Sequence, residues 1–207
     1  YSIKFAWFLF SGLALLFLLS LLIISNASIY ILMYFVLNII YSLSIKNIAI
    51  LDVASISLGF VLRVLAGGFS VDVNVSYWMI IMVFLLTISI AFAKRRDDLV
   101  IDIDKSQLRT SFSGYNISFL DIATTVSMTI TLVAYILYSV SGEVIQRIGS
   151  DKLYISSFFV FLGIMRYLQI MIIDRNSGSP VEVLWKDRFL QIVVMLWVLV
   201  ISLIIYG

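Results

Sequence analysis

Residues 77–98 read YWMIIMVFLLTISIAFAKRRDD, an apolar run that ends in five charged residues. The apolar part has roughly the length that a helix needs to cross about 30 Å of hydrocarbon at about 1.5 Å per residue. Six more stretches have this character, and the seven predicted spans are 6–25, 28–43, 50–70, 77–93, 117–139, 154–173 and 189–206. The sequence therefore predicts an all-α integral membrane protein with seven transmembrane helices, in one helical domain over residues 1–207.

The overall composition limits the side-chain types that could take part in a reaction. Of the 207 residues 62% are hydrophobic, only one is proline, and neither histidine nor cysteine occurs. Long apolar runs disfavour an outer-membrane barrel, whose strands alternate in segments of about ten residues. Disulfides, thiolate chemistry and imidazole catalysis are excluded. Any reaction must rely on carboxylates, cations, hydroxyls and a hard metal ion.

Basic residues are distributed unevenly over the predicted connections. Ten of them fall in segments 1–5, 44–49, 94–116 and 174–188, whereas the connections on the other side hold only Arg147 and Lys152. Cytoplasmic loops of membrane proteins carry an excess of lysine and arginine. We therefore expect a multi-pass protein of the cytoplasmic (inner) membrane, with segment 94–116 and its chemistry facing the cytoplasm.

The densest charge lies between Lys94 and Asn116. Carboxylates alternate there with cations: Asp97, Asp98, Asp102 and Asp104 with Lys94, Arg95, Arg96, Lys105 and Arg109. Such a mixture suits a divalent metal bound together with a phosphorylated ligand, although an ordinary polar loop is the alternative. If the fourth span continues as a helix, Asp98 and Asp102 share one face at i, i+4 and could hold Mg²⁺ on a diphosphate.

Two arginines interrupt the apolar spans. Arg63 shares a stripe with Ser55, Gly59 and Gly67 at four-residue spacing, and Arg166 lies about two turns from the cytoplasmic end of the sixth span. Intramembrane arginines point to partners inside the bundle or to cavities. The stripe is either a cavity wall or a tightly packed interface with a structurally paired arginine.

Short motifs occur in a fixed order along the whole chain. They are Tyr41-Ser-x-x-x-Lys46, Leu51-Asp52, Gly59-Phe60-Val61-Leu62-Arg63-x-x-Ala66-Gly67, Lys94-Arg95-Arg96-x-Asp98-Leu99, Arg109, Tyr115, Phe119-Leu120-Asp121, Arg166-Tyr167 and Asp187-Arg188-x-Leu190-Gln191. Together they resemble the UbiA-type polyprenyl transferase superfamily, and more narrowly its decaprenyl-phosphate phosphoribosyltransferase branch.

The resemblance implies a bundle of nine transmembrane helices around a cavity that opens to the cytoplasm and to the bilayer. Two acidic motifs of the family hold Mg²⁺ on a diphosphate. The first of them, Asn-Asp-x-x-Asp, does not occur in this sequence. We therefore expect Tyr1 to lie at the start of the third family helix, the seven spans to be the last seven of nine, and this chain alone to lack half of the metal site.

The resemblance also implies roles for individual residues. Asp98 ranks first as metal ligand, followed by Asp97 and Asp102, and the expected cofactor is Mg²⁺. Asp98, Lys46 and Asp52 are the expected catalytic residues. Phosphates would be bound by Lys46, Lys94, Arg95, Arg96 and Arg109, ribose hydroxyls by Tyr41, Tyr115 and Asp52, and further substrate contacts would come from Arg166 and Arg188.

The expected reaction is Mg²⁺-dependent transfer of 5-phosphoribose from phosphoribosyl diphosphate to a polyprenyl phosphate at the membrane. The first alternative is UbiA-type prenyl transfer from a prenyl diphosphate to an aromatic or other acceptor. The second, from another class, is a component of a transporter or channel, which predicts charges along a path through the bilayer. No feature of the sequence indicates nucleic-acid binding.

Overall fold

The computed structural model describes residues 27–101, 114–174 and 180–206. The predicted span 6–25 lies outside these ranges, as do Asp102 and Arg109. The described residues form helices and their connections, with no strand among them. The helices are α1 Ser28–Leu43, α2 Leu51–Ser70, α3 Tyr77–Ile101, α4 Ile117–Ser139, α5 Gly142–Ile148, α6 Ser157–Gln169, α7 Pro180–Lys186 and α8 Arg188–Tyr206.

Five helical stretches are long and apolar enough to cross a membrane: Leu51–Ser70, Tyr77–Val100, Ile117–Ser139, Lys152–Ile173 and Arg188–Tyr206. They correspond to five of the seven predicted spans and confirm an all-α, multi-pass membrane protein. The predicted span 28–43 also forms a helix, but it is 16 residues long. At about 1.5 Å per residue such a helix covers about 24 Å, less than the hydrocarbon layer.

Helix ends depart from the predicted spans where side chains form tertiary contacts. The fourth span was predicted to end at residue 93, yet α3 continues to Ile101 and includes the charged residues 94–98. The sixth span combines a 3₁₀ turn, Lys152–Ser156, with α6 and a π-helical turn, Ile170–Asp174. The short helices α5 and α7 lie in connections for which no helix was predicted.

Neighbouring helices pack in a simple order. Contacts join α1 to α2, α2 to α3 and α3 to α4, and then α4 to α6 and α6 to α8. Most large apolar side chains remain exposed, as expected when lipid rather than protein covers them. A small buried core of Val53, Phe92, Tyr115 and Leu120 joins α2, α3 and α4.

This core lies at one end of the bundle, where α2 begins, α3 ends and α4 begins; we call it the charged end. Gly114 precedes α4 there and passes close to the α1–α2 connection. A Cβ atom added at Gly114 would lie 2.6 Å from the Cβ atom of Ala49. The absence of a side chain therefore allows the two connections to meet, and Asp52 lies within hydrogen-bonding distance of Arg95 near the end of α3.

Candidate functional site at the charged end

Asp52 is the centre of the polar network at the charged end. Its side chain, 0% exposed, lies in the first turn of α2. Arg95 of α3 donates from Nε to Oδ2 over 2.9 Å, and the Tyr115 hydroxyl donates to Oδ1 over 2.6 Å. Both carboxylate oxygens are thus bound by protein groups, and helix α2 is linked to α3 and to the start of α4.

Tyr115 ties this network to the backbone of the α1–α2 connection. Its hydroxyl accepts a hydrogen bond of 2.6 Å from the backbone N–H of Ile50. Ile50 has φ +69°, an unusual value for a β-branched residue, so this turn depends on contacts that hold it. Burial, assisted by the hydrogen bond to Asp52, raises the pKa of the Tyr115 phenol. The phenol therefore remains a donor to Asp52 at neutral pH.

A second ion pair lies beside the first. Arg96, 2% exposed, donates from Nε to Oδ1 of Asp121 in α4 over 2.8 Å, and its Nη1 lies 3.8 Å from Oδ1 of the buried Asp97. The hydroxyl of Tyr167 in α6 is near the charges of Asp97 and Arg96 and has no hydrogen-bond partner among the described residues. Arg95 and Arg96 therefore enter different helix interfaces, although they are adjacent in sequence.

The carboxylates predicted as metal ligands differ in their access to solvent. Asp98 is the open one, with 40% of its side chain exposed and its Oδ2 atom 3.5 Å from Nη1 of Arg95. Asp97 is buried beside Arg96 on another side of α3. In the described ranges, no group of three or more acidic side chains is placed to hold a metal ion. Asp102, the predicted second member of the Asp98 pair, lies outside the described residues.

The predicted phosphate-binding cations fall into two groups. Arg95, Arg96 and Arg166 are bound to carboxylates, as described above for the first two. Lys94 and Arg188 are exposed and Lys46 is half-buried. Within the described part of the chain, these last three form no ion pair with a carboxylate. Among the described residues predicted to bind phosphate, these three therefore carry charges that an anionic ligand could meet.

Arg166 of α6 is held by the connection before α8. It donates from Nη2 and Nε to Oδ2 of Asp187, over 2.6 and 3.1 Å, and from Nη1 to Oε1 of Gln169 over 2.9 Å. The other Asp187 oxygen accepts from the backbone N–H of Leu190 over 2.8 Å and caps α8. The hydrogen bonds from Arg166 lower the pKa of Asp187. The geometry gives Arg166 a structural task; its predicted substrate contact remains a prediction.

The stripe on α2 forms one wall of a small cavity, which was one of its two interpretations. The cavity has a volume of about 90 Å³ and lies between α1 and α2. Its lining consists of Ser55, Ile56, Gly59 and Arg63 of α2 and of Tyr34, Leu37, Asn38 and Tyr41 of α1. Tyr41, predicted to bind ribose, therefore lines the same cavity as Arg63.

Three residues that contact the predicted arginines were not among the predicted site residues. They are Asp121, Asp187 and Tyr34. Each completes the coordination of an arginine that the sequence did single out. Asp121 gave a signal, since it is one of few charged residues within a predicted span. Tyr34 gave a weaker one, as it shares a helix face with Asn38 and Tyr41 at i, i+4 and i+7.

Comparisons with known proteins agree with the motifs. No protein-family model matches the chain. It is 28% identical over 189 residues, 88% of its length, to a decaprenyl-phosphate phosphoribosyltransferase of Mycolicibacterium smegmatis. Proteins of the same name from Corynebacterium glutamicum and Mycobacterium tuberculosis are 25% and 22% identical over 84% of the chain. These findings confirm the resemblance. The chain spans 59%, 52% and 56% of the length of these relatives.

Proposed function

We propose that this relative of the decaprenyl-phosphate phosphoribosyltransferases takes part in transferring 5-phosphoribose from phosphoribosyl diphosphate to a polyprenyl phosphate. The observation that carries the proposal is a similarity over 88% of the chain to a protein of that name, together with the charged end. Because the chain spans little more than half of its relatives, the activity is proposed for the full-length protein.

In the proposed reaction, a phosphate oxygen of the lipid acceptor attacks the anomeric carbon of the ribose. The new bond joins that carbon to the acceptor oxygen, while the bond to the diphosphate oxygen breaks and the diphosphate leaves with the electron pair. Such a displacement, with an oxocarbenium-like transition state, needs little covalent help from protein. Positioning and neutralisation of the developing charge supply the catalysis.

The two groups of cations have different tasks in this proposal. Lys46 and Lys94, without ion pairs to described carboxylates, would bind donor phosphates at the charged end. Arg95 and Arg96 are neutralised by Asp52 and Asp121, so they would hold the helices in position. Tyr115 would keep the α1–α2 connection, and with it Lys46, in place through Ile50. Arg188 would add a contact from the start of α8.

The described carboxylates would hold a Mg²⁺ ion only together with the oxygens of a bound diphosphate. Mg²⁺ at phosphate sites is commonly held by one or two carboxylates plus phosphate oxygens and water. Asp98 suits this task because its side chain is the open carboxylate near Lys94, and Asp97 is less suited because it is buried. Bound in this way, the metal would stabilise the charge of the leaving diphosphate.

The excess of cations at the charged end supports an orientation with this end in the cytoplasm. A water-soluble, highly charged donor would then meet Lys46, Lys94 and Asp98 directly from solution. The lipid acceptor would approach from the membrane. We therefore place the reaction at the cytoplasmic face of the cytoplasmic membrane.

The test is transfer of label from phosphoribosyl diphosphate to a polyprenyl phosphate by the full-length protein in detergent, with and without Mg²⁺. We expect a labelled lipid that depends on the metal. The variant Lys94→Gln should raise the KM for the donor about tenfold or more, because a charge-assisted phosphate contact is lost. Lys152→Gln, an equal charge change on an exposed lysine far from the charged end, is the matched control.

A different pattern of substrates would contradict the proposed reaction. Absence of labelled lipid, combined with turnover of a prenyl diphosphate and an aromatic acceptor, would replace the proposal by prenyl transfer. A transporter requires charges along a path through the bilayer. Among the described residues, Arg63 and Arg166 are the basic side chains well inside the spans, and Arg166 is already paired with Asp187.

A further inference from the structure

Arg63 lies deep within an apolar span. It follows Leu51, the first residue of α2, by twelve positions, which places its Cα atom about 18 Å along the helix axis. Its neighbours along the helix are Leu62 and Val64. An arginine at this depth of a membrane span usually faces a counter-charge, a ligand or a water-filled cavity.

Two aromatic rings flank the guanidinium of Arg63, a residue that is exposed in the described structure. Its Cζ atom lies 4.8 Å from the ring centroid of Tyr34 and 4.7 Å from that of Phe60, and Nη2 donates to the Tyr34 hydroxyl over 2.6 Å. In the described ranges, no ion pair joins Arg63 to a carboxylate. Of the residues outside those ranges, 1–26 and 175–179 contain neither aspartate nor glutamate, whereas 102–113 contain Asp102 and Asp104. The rings orient the cation without neutralising it.

Beside the guanidinium is the cavity of about 90 Å³ between α1 and α2. Its volume is sufficient for a single phosphate group. Gly59 contributes to the shape, since a Cβ atom there would come within 3.3 Å of the Tyr34 ring. The small residue thus allows Tyr34 to approach α2 and to meet Arg63.

The cavity lining offers several hydrogen-bond donors to an anion. Arg63 has five N–H groups, one of which is directed to the Tyr34 hydroxyl. Asn38 uses one N–H of Nδ2 for the backbone carbonyl of Tyr34, over 2.7 Å, and retains a second. A planar guanidinium with adjacent amide donors matches the geometry of a phosphate group.

From these observations we infer that Arg63, Tyr34 and Asn38 form a phosphate-binding site within the membrane-spanning part, which takes the phosphate of the polyprenyl phosphate acceptor. This inference rests on the proposed function, because it identifies where that acceptor is held before its phosphate moves along α2 to the donor at the charged end. Helical side chains point toward the helix N-terminus, so the guanidinium is directed toward the charged end. The other wall of the cavity, α1, has no buried residue among those described. A lipid phosphate would enter beside this helix from the bilayer.

Binding measured separately from turnover tests the inference. The purified full-length protein in detergent would be titrated with a polyprenyl phosphate, with the matching polyprenol that lacks phosphate, with phosphoribosyl diphosphate, and with inorganic phosphate. Arg63→Gln should weaken binding of the polyprenyl phosphate about tenfold to a hundredfold. It should leave polyprenol and donor binding within about twofold, because these contacts do not depend on a phosphate at Arg63.

Further variants keep the test independent of folding. Arg63→Lys retains a cation and should lose less affinity for the polyprenyl phosphate than Arg63→Gln does. Asn38→Ala, at an exposed position, should weaken polyprenyl phosphate binding a few-fold. Arg147→Gln, which removes an exposed arginine paired with Glu143 at the opposite end, is the matched control and should bind all ligands normally.

Three outcomes overturn the inference. The first is unchanged binding of polyprenyl phosphate by folded Arg63→Gln. The second is a loss of polyprenol binding equal to the loss of polyprenyl phosphate binding. The third is a loss confined to the donor or to inorganic phosphate, with polyprenyl phosphate binding unchanged. If Arg63-dependent binding of the phosphorylated lipid is observed while no phosphoribosyl transfer occurs, the site stands and the proposed reaction fails.

Discussion

Arg95 and Arg63 lie on helices that pack against each other, yet their charges are met in different ways. Arg95 is buried and bound to the fully buried Asp52, whereas Arg63 is stacked between aromatic rings and has no described carboxylate partner. A buried cation with a carboxylate is internally compensated and gains little from an added anion. A cation held by rings alone retains its attraction for one. The comparison therefore separates structural arginines from those suited to ligands.

The largest change in stability is expected when the carboxylate partner of Arg95 is removed. Asp52→Ala should lower the free energy of unfolding by about 3–5 kcal/mol, because Arg95 then remains buried without a counter-charge. Unfolding in detergent monitored by circular dichroism measures the effect. Glu143→Ala removes a carboxylate from an exposed pair and should change stability by less than about 0.5 kcal/mol.

A double variant measures the net contribution of the Asp52–Arg95 pair to stability. Asp52→Leu combined with Arg95→Met removes both charges and should recover part of the stability that Asp52→Ala loses, since buried pairs contribute little net stability although the Tyr115 hydroxyl still lacks its acceptor. An equally unstable double variant would show that the pair is worth more than its desolvation cost, contrary to this argument.

The next largest effect is expected for the open carboxylate of the charged end. Asp98→Asn should leave folding intact, because the side chain is 40% exposed, and should reduce Mg²⁺-dependent transfer about a hundredfold or more. Initial rates of the full-length protein over a range of Mg²⁺ concentrations measure this. Asp151→Asn, outside the charged end, is the control. Full activity with unchanged Mg²⁺ dependence would contradict the assignment of Asp98.

A smaller effect is expected from the hydroxyl that links Asp52 to the α1–α2 connection. Tyr115→Phe keeps the ring stacked against Phe119 but removes the partner of Asp52 and of the Ile50 N–H. We expect a loss of about 1–3 kcal/mol in the free energy of unfolding, because two buried polar groups lose a hydrogen bond. Tyr206→Phe, at an exposed tyrosine, provides the comparison and should be neutral.

The smallest effect concerns Asp187, the half-buried partner of Arg166. Because its pKa is lowered in the folded protein, its charge stabilises the fold above its ordinary pKa of 3.8, and this contribution is lost as the pH falls through the folded value. Asp187→Asn should therefore cost about 1 kcal/mol at pH 7 and progressively less below pH 3.8. Denaturant titrations at several pH values test this; a difference from the parent protein that is independent of pH would contradict it.

The fold was largely accessible from sequence, since helix formation in a membrane depends on the length and polarity of a local run. The span predicted at 117–139 has the bounds of α4, because an apolar run there follows an Asn116 side chain that caps the helix. The span predicted at 77–93 was too short. The charged residues after Ala93 remain helical because Arg95 and Arg96 reach carboxylates on neighbouring helices.

The membrane class, five spans and the concentration of charge at one end could be predicted from the sequence, because each depends on local polarity. The motifs also indicated the relatives. Which charges are compensated could be learned from the folded structure alone. Arg95 meets Asp52 across 43 positions and Arg96 meets Asp121 across 25, whereas Arg63 meets Tyr34 across 29. Such pairings depend on helix packing and side-chain direction, which distant positions in a sequence do not specify.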